Sequence, residues 1–200
     1  MKLYAAAASP FVRKVMVVLH ETGQLDSVEI IPVVTSPVQP SGAVQASNPL
    51  AKIPALERGD GPALYDSRVI CAYLDQRAGG RLYNRGWESK ILEATADGIM
   101  DAAVLMSYEK RLRPQDKQWD GWLDAQQDKV LGGCAALNAR WMSHLQGPLD
   151  IGQIAVGCAL GYVDFRHPDA GWRNGNPALA QWYAAFESRP SMQATQPRDA

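Results

Sequence analysis

The sequence is poor in the residues that staple or metallate a small protein. Its three cysteines, Cys71, Cys134 and Cys158, are odd in number and far apart, which argues against a disulfide framework and a thiolate metal site. The three histidines, His20, His144 and His167, are equally scattered, without HxxxH or CxxC spacing, so surface or packing roles account for them and no metal is implied. An excess of either charge is lacking too: 20 Lys and Arg against 21 Asp and Glu give a net charge of −1, without the basic footprint of a nucleic-acid binder. No apolar run reaches membrane-spanning length, and the first residues lack the charged, then apolar, then small layout of a secretion signal. A cytoplasmic protein is the simplest expectation.

What the sequence does contain is organised around residues 2–23. Lys2-Leu3-Tyr4-Ala5 suits a short strand, and from Phe11 onward Phe11, Val12, Val15, Met16, Val18 and Leu19 follow a helical stripe, with Arg13, Lys14 and His20 off it. Ser9 is a good N-cap, Pro10 fits the first turn where an N–H is not needed, and Gly23 closes the helix. A hydroxyl therefore sits at the positive end of a helix, where an anion is stabilised. Two readings of Ser9 stay open at this point: a cap and nothing more, or a cap that also serves a thiolate.

After Gly23, residues 28–33 read as a second strand, and a strand–helix–strand unit of this length implies parallel pairing. Residues 35–49 are rich in Ser, Pro, Gln and Gly and predict a loop with one irregular helical turn. Residues 48–56 follow, then a hairpin turn over 59–62 and a short last strand, Ala63-Leu64-Tyr65. Pro54 lies at the mouth of a strand, which calls for an edge position or an unusual bond geometry. A cis Ile53-Pro54 peptide would leave the Ile53 main chain free to pair with an extended ligand; a trans bond stays open beside it. Asp66-Ser67 opens a helix carrying Val69, Ile70, Tyr73 and Leu74. It reads either as a plain cap or as a seat for an amino-acid head group, with carboxylate on the N–H groups and Ser67 and ammonium on Asp66.

Gly79 to Arg85 is a polar link, and beyond it every pattern is helical. Helices are predicted over about 86–111, 115–145 (opened by Pro114), 151–165 and 177–188, with a polar, loose tail from Arg189. The third is apolar all round and so belongs at the centre of its domain, and Asp150-x-x-Gln153 has capping-box spacing at its start. The expected architecture is an α/β domain over 1–78, a linker over 79–85 and an all-helical domain over 86–200.

The β-α-β, β-β-α order with a proline before the third strand outlines a thioredoxin-like domain. Thiol–disulfide exchangers of that outline begin their helix Cys-Pro-x-Cys, whereas this chain reads Ser9-Pro10-Phe11-Val12, so any reactive sulfur must arrive with a ligand. With SPFVRKV (9–15), NPLAKIPAL (48–56), the YDS turn (65–67), ADGIMDA (96–102) and the helix DIGQIAVGCALGYVDFR (150–166), the chain resembles the cytosolic glutathione transferase superfamily in a bacterial form, over almost its whole length. The resemblance implies that Ser9 points its hydroxyl at the glutathione sulfur. Ile53 would pair main chain to main chain with the cysteinyl unit, Pro54 would be cis, and Asp66 and Ser67 would hold the γ-glutamyl end; Phe11 and Lys52 join the same glutathione-binding set. The helical domain would supply the wall for a small hydrophobic electrophile bound between the domains, with Tyr108, Arg111 and Arg113 as candidates. It would also supply a homodimer face, from which Asp97 or Asp101 would reach the neighbouring subunit's glutathione.

Three departures from the family pattern bear on this expectation. Ala5 to Ala8 is a plain alanine run where relatives carry bulkier or polar residues, Gln153 replaces an acidic capping partner, and Tyr4 is an alternative thiol partner because some classes use a strand tyrosine. The activity implied is glutathione conjugation with glutathione as co-substrate. Its alternatives are a non-catalytic binding or regulatory protein of the same fold, or a glutathione-dependent isomerase or dehalogenase.

Overall fold

Burial alternates from the first strand, β1 (Lys2–Ala5), in which Leu3 and Ala5 are buried and Lys2 is exposed. The computed structural model describes residues 1–199. β1 pairs in parallel with β2 (Glu29–Pro32), Lys2 lying opposite Glu29, and antiparallel with β3 (Ala55–Glu57), Leu3 lying opposite Leu56, so the sheet order is β2-β1-β3. The expected last strand over 63–65 does not form. Leu64 makes a single bridge with Leu56, through N···O distances of 3.0 and 2.8 Å, and the chain then turns at once into the next helix cap at Asp66. Pro62, which has no N–H to give, precedes that bridge and cannot extend the ladder.

Helix α1 (Pro10–Glu21) has Ser9 at its N-cap and Pro10 in its first turn, and Gly23, at φ 65°, takes the left-handed turn that ends it. Its stripe of Val12, Val15, Val18 and Leu19 is buried. Arg13 and Lys14, expected off the buried stripe, are buried as well, at 5% and 0% exposure. α1 packs along α3 (Ser67–Arg77), and the Lys14 charge acts on the Asp66 carboxylate that caps that helix. The short helix α2 (Gly42–Ser47) is the helical turn expected in the loop before β3. The buried carboxylate of Asp75 accepts the N–H groups of Leu82 and Tyr83 at 2.8 and 3.1 Å, tying the link after α3 back onto that helix.

The chain divides into two compact units, residues 1–84 with the chain from Ala194 onward, and residues 85–193. The second is built from α4 (Gly86–Leu112), α5 (Asp120–Arg140), the short α6 (Met142–Leu145), α7 (Ile151–Arg166), α8 (Pro177–Phe186) and all but the last residue of α9 (Pro190–Ala194). The single helix expected over 115–145 is thus divided. Gln118 and Trp119 are extended, because the buried Glu109 carboxylate takes the Trp119 N–H at 3.0 Å and holds the chain away from helical geometry before α5. The tail expected to be loose from Arg189 instead forms α9, whose Ser191 and Met192 are buried.

α7 is buried at every position from Ile151 to Val163, and its last turn is partly exposed. The capping box is made in both directions: Asp150 Oδ1 accepts the Gln153 N–H at 3.1 Å, and Gln153 Oε1 accepts the Asp150 N–H at 2.7 Å. The Gln153 amide also donates to the carbonyls of Leu145 and Gly147, at 2.8 and 3.0 Å, which a glutamate could not do. Close packing depends on small residues. A Cβ at Gly152 would lie 2.6 Å from Leu92 Cβ on α4, and one at Gly157 would lie 2.6 Å from the Phe186 ring on α8.

Candidate functional site

Ser9 follows β1 and opens α1 with extended backbone, φ −82° and ψ 122°. Its Oγ accepts the Val12 N–H at 3.3 Å, and its own N–H donates to Ala6 O at 3.0 Å. The hydroxyl is spent as an acceptor only: among the described residues no acceptor takes its proton. A cap that keeps its O–H unspent, on a helix N-terminus and half exposed, can donate to an anion placed beside it.

The turn before β3 is organised by Asn48, buried at 2% exposure. Its side chain donates to Lys52 O at 2.8 Å and accepts the Leu50 N–H at 3.0 Å, while its carbonyl accepts the Ala51 N–H at 2.8 Å. Ala51 takes the left-handed conformation within this turn, at φ 54°. The chain is thereby delivered to Ile53 and a cis Ile53-Pro54 peptide, with Pro54 buried and Lys52 exposed. No described residue hydrogen-bonds to the Ile53 main chain. Sequence reasoning quoted Asn48 as part of a motif and gave it no role. The signal available was an Asn-Pro pair, whose side chain commonly closes a turn on nearby main chain.

Asp66 caps α3, accepting the Arg68 N–H at 3.0 Å on one oxygen and the Arg68 guanidinium at 2.9 Å on the other. Burial pushes its carboxyl up, but the hydrogen bonds to Arg68 and the positive charges of Arg68 and Lys14 outweigh it, leaving the group below its ordinary value and ionised at neutral pH. The engagement with Arg68 was not expected. It leaves a carboxylate with lone pairs to spare but already neighboured by a cation. Ser67, in the first turn, is buried, and no described residue hydrogen-bonds to its hydroxyl.

The ladder brings these groups to one end of the sheet. Tyr4 lies opposite Ala55, so the residues just before β3 face the chain leaving β1 toward Ser9. Leu56 lies opposite Leu64, which carries Asp66 to the level of Pro54. Ser9, Phe11, Ile53, Pro54, Asp66 and Ser67 thus all belong to the first unit and cluster at the carboxyl end of β1. Tyr4 points elsewhere: its hydroxyl donates to Glu57 Oε1 at 2.8 Å. Tyr108 and Arg111, expected at an electrophile site, lie near the end of α4 in the second unit, and both are exposed. On the same helix Asp97 is buried and Asp101 exposed. Among the described residues no group of three or more His, Cys, Asp or Glu side chains is placed to hold a metal ion, and no helix is long and apolar enough to cross a membrane.

A thioredoxin-like unit with a serine-capped first helix is thus followed by a helical unit with a buried, box-capped central helix. The sequence matches the glutathione S-transferase N-terminal domain over residues 3–82 and the C-terminal domain over residues 120–185, and the chain belongs to the glutathione S-transferase superfamily. It is 32% identical to an uncharacterized GST-like protein of Escherichia coli K12, YibF, over 98% of both chains. It is 51% identical to a glutathione transferase family member from Pseudomonas fluorescens Pf-5, solved with bound glutathione, with a TM-score of 0.96 and 98% of each chain covered. A second structure from that organism, with bound S-(propanoic acid)-glutathione, is 50% identical, with a TM-score of 0.91, covering 99% of this chain and all of that one.

Proposed function

We propose that this protein is a glutathione transferase in which the Ser9 hydroxyl donates a hydrogen bond to the sulfur of glutathione. The observation that carries the reading is the Ser9 hydroxyl itself, which accepts from the helix and has its proton left to give. Ile53 offers an unpaired main chain to the cysteinyl unit beside cis Pro54, Asp66 and Ser67 hold the γ-glutamyl end, and Phe11 and Lys52 flank the tripeptide. The glutathione complexes of the Pseudomonas fluorescens relatives support it.

The chemistry follows from acid–base balance. A free thiol with a pKa of about 8.5 is only a few per cent thiolate at neutral pH. Lowering that value by about two units takes roughly 2.7 kcal/mol of selective stabilisation of the anion, which a charge-assisted hydrogen bond and a helix N-terminus together supply. The thiolate then attacks a small hydrophobic electrophile held by the helical unit, with Tyr108 and Arg111 among the residues that receive it. Two copies pair through α4, whose exposed Trp87, Ile91, Leu105 and Leu112 recur along the helix as an apolar stripe. The three cysteines are thiols, in keeping with a cytoplasmic setting.

The test is calorimetric titration with reduced glutathione, repeated on an Asp66→Ala, Ser67→Ala double variant. Binding by the parent that is lost in the double variant is the expected result. Binding that survives overturns the head-group assignment, and no binding by the parent at millimolar ligand overturns the transferase reading.

A further inference from the structure

Near the end of α4 the second unit gathers a chain of polar groups that the reaction above does not use. Arg111 lies one turn beyond both Ser107 and Tyr108 on that helix, and Arg166 one turn beyond Tyr162 on α7, which packs against it. Ser107, Tyr162 and His167 are buried. Tyr162 donates its hydroxyl to Ser107 Oγ at 3.2 Å, and Ser107 donates its own to Ala103 O at 3.0 Å. His167 Nε2 lies 2.8 Å from the same carbonyl and 3.1 Å from Ser107 Oγ. A carbonyl only accepts, so Nε2 carries the imidazole proton and the ring adds a donor, not an acceptor, to this chain.

The proton count settles what Tyr162 does. Its proton goes to Ser107, so its oxygen is left as an acceptor, and it hydrogen-bonds to the side chain of Arg166. Tyr162 therefore positions a guanidinium, and it lies in the field of Arg111 as well. Arg111 also acts on Tyr108, a phenol that is protonated at neutral pH and so a donor, its partial burial pushing it further up. Neither Tyr108 nor Arg111 makes a hydrogen bond or ion pair with a described residue. The neighbouring carboxylates are committed: Glu109 to Arg113 at 2.9 Å and to Trp119 N–H, and Asp164 to Arg173 at 2.6 and 2.8 Å and to Trp172 at 2.8 Å.

We infer that Tyr108 and Arg111, backed by Arg166 on Tyr162, form an anion-recognition patch that selects electrophiles carrying a carboxylate. The inference rests on the transferase reading and narrows its substrate class from small apolar electrophiles to small acids with an apolar body. Arg111 and Tyr108 are specificity residues, and Tyr162 is a positioning residue. In the reaction with 4-(bromomethyl)benzoate, the glutathione sulfur forms one S–C bond at the benzylic carbon as the C–Br bond breaks. Bromide leaves with the bonding pair, and the thiol proton has passed to solvent.

The experiment compares kcat/KM for 4-(bromomethyl)benzoate and for its methyl ester, each divided by its uncatalysed rate with glutathione. It also includes calorimetric binding of unreactive 4-methylbenzoate to the full-length protein without glutathione. The expected result is a preference for the acid of about tenfold in the parent, from one charge-assisted contact at an exposed site. Arg111→Met should bring that preference to near unity and Tyr108→Phe should lower it, with loss of 4-methylbenzoate binding in Arg111→Met. Equal normalised rates in the parent, or a preference untouched by Arg111→Met, overturn the inference. Arg111-dependent binding of 4-methylbenzoate by a protein that does not bind glutathione would overturn the transferase reading while supporting the anion patch.

Discussion

Tyr4 and Glu57 are joined across β1 and β3 by a 2.8 Å hydrogen bond, and Ser47 brings a second hydroxyl to the same carboxylate oxygen at 2.7 Å. Those two bonds, Ser47 foremost, hold the Glu57 carboxyl below its ordinary value. A group with a depressed folded-state value contributes stability that is present above its unfolded value, near 4.5, and is lost as the pH falls through the folded value. Tyr4→Phe is expected to lower stability by about 1 kcal/mol at pH 7, with the difference from the parent shrinking below that unfolded value. Urea midpoints at pH 7 and at acid pH check it. Turnover with glutathione should survive in this variant, because the tyrosine hydroxyl is engaged away from the thiol site.

Ser9→Ala separates the cap made by that hydroxyl from the thiolate contact proposed for it. Loss of the cap is expected to cost about 1 kcal/mol of stability. On the proposed reading, loss of the hydrogen bond to the thiolate should lower kcat/KM at slightly acid pH by about tenfold or more and move the rise of the pH–rate profile toward alkaline values, with glutathione affinity changing little. A profile that stays in place while stability alone falls would make Ser9 a cap and nothing else.

Much of this was legible because the signals were local. Ser9, Pro10 and Gly23 bracket α1, and Asp150 with Gln153 specifies the start of α7, since caps depend on residues a few positions apart. The burial of Arg13 and Lys14 was not legible, because burial of a polar residue off the apolar stripe depends on tertiary packing and not on local pattern. The missing fourth strand and the divided 115–145 helix have the same origin. Three apolar residues at 63–65 satisfy a strand pattern that Pro62 and the Asp66 cap leave no room to build. A helical pattern through Trp119 is interrupted by a carboxylate ten residues earlier that claims its N–H. At the site, the motif containing Asn48 was visible, but its task of holding Lys52 O could be read only from the folded turn.

Gly152→Ala tests how tightly α7 sits on α4. The added methyl would meet Leu92 Cβ at 2.6 Å, a stiff part of the side chain, and Ser89 O at 3.1 Å. Overpacking is expected to outweigh the helix-propensity gain of about 1 kcal/mol, for a net loss of about 1–2 kcal/mol. In a Leu92→Ala background that loss should shrink, and chemical denaturation of the four proteins of the cycle measures the coupling.

The thiols should be inert in the native state. Cys71, Cys134 and Cys158 are all buried, and burial, aided by the Asp164 charge, pushes the Cys134 thiol up to about 12. A chromogenic disulfide reagent is expected to titrate none of them in native protein and all three in denaturant. Fast reaction of one thiol before unfolding would contradict this.

The glycines of α7, two of which let it pack closely, also weaken it as an independent helix. Gly152, Gly157 and Gly161 each cost about 1 kcal/mol of intrinsic helicity relative to alanine, so the segment has little tendency to stay helical away from its neighbours. The centre of the helical unit is therefore held by its surroundings, and loss of the surrounding helices removes it in the same step. Amides from Ile154 to Val163 should exchange with solvent water only through that collective opening, at a single shared rate.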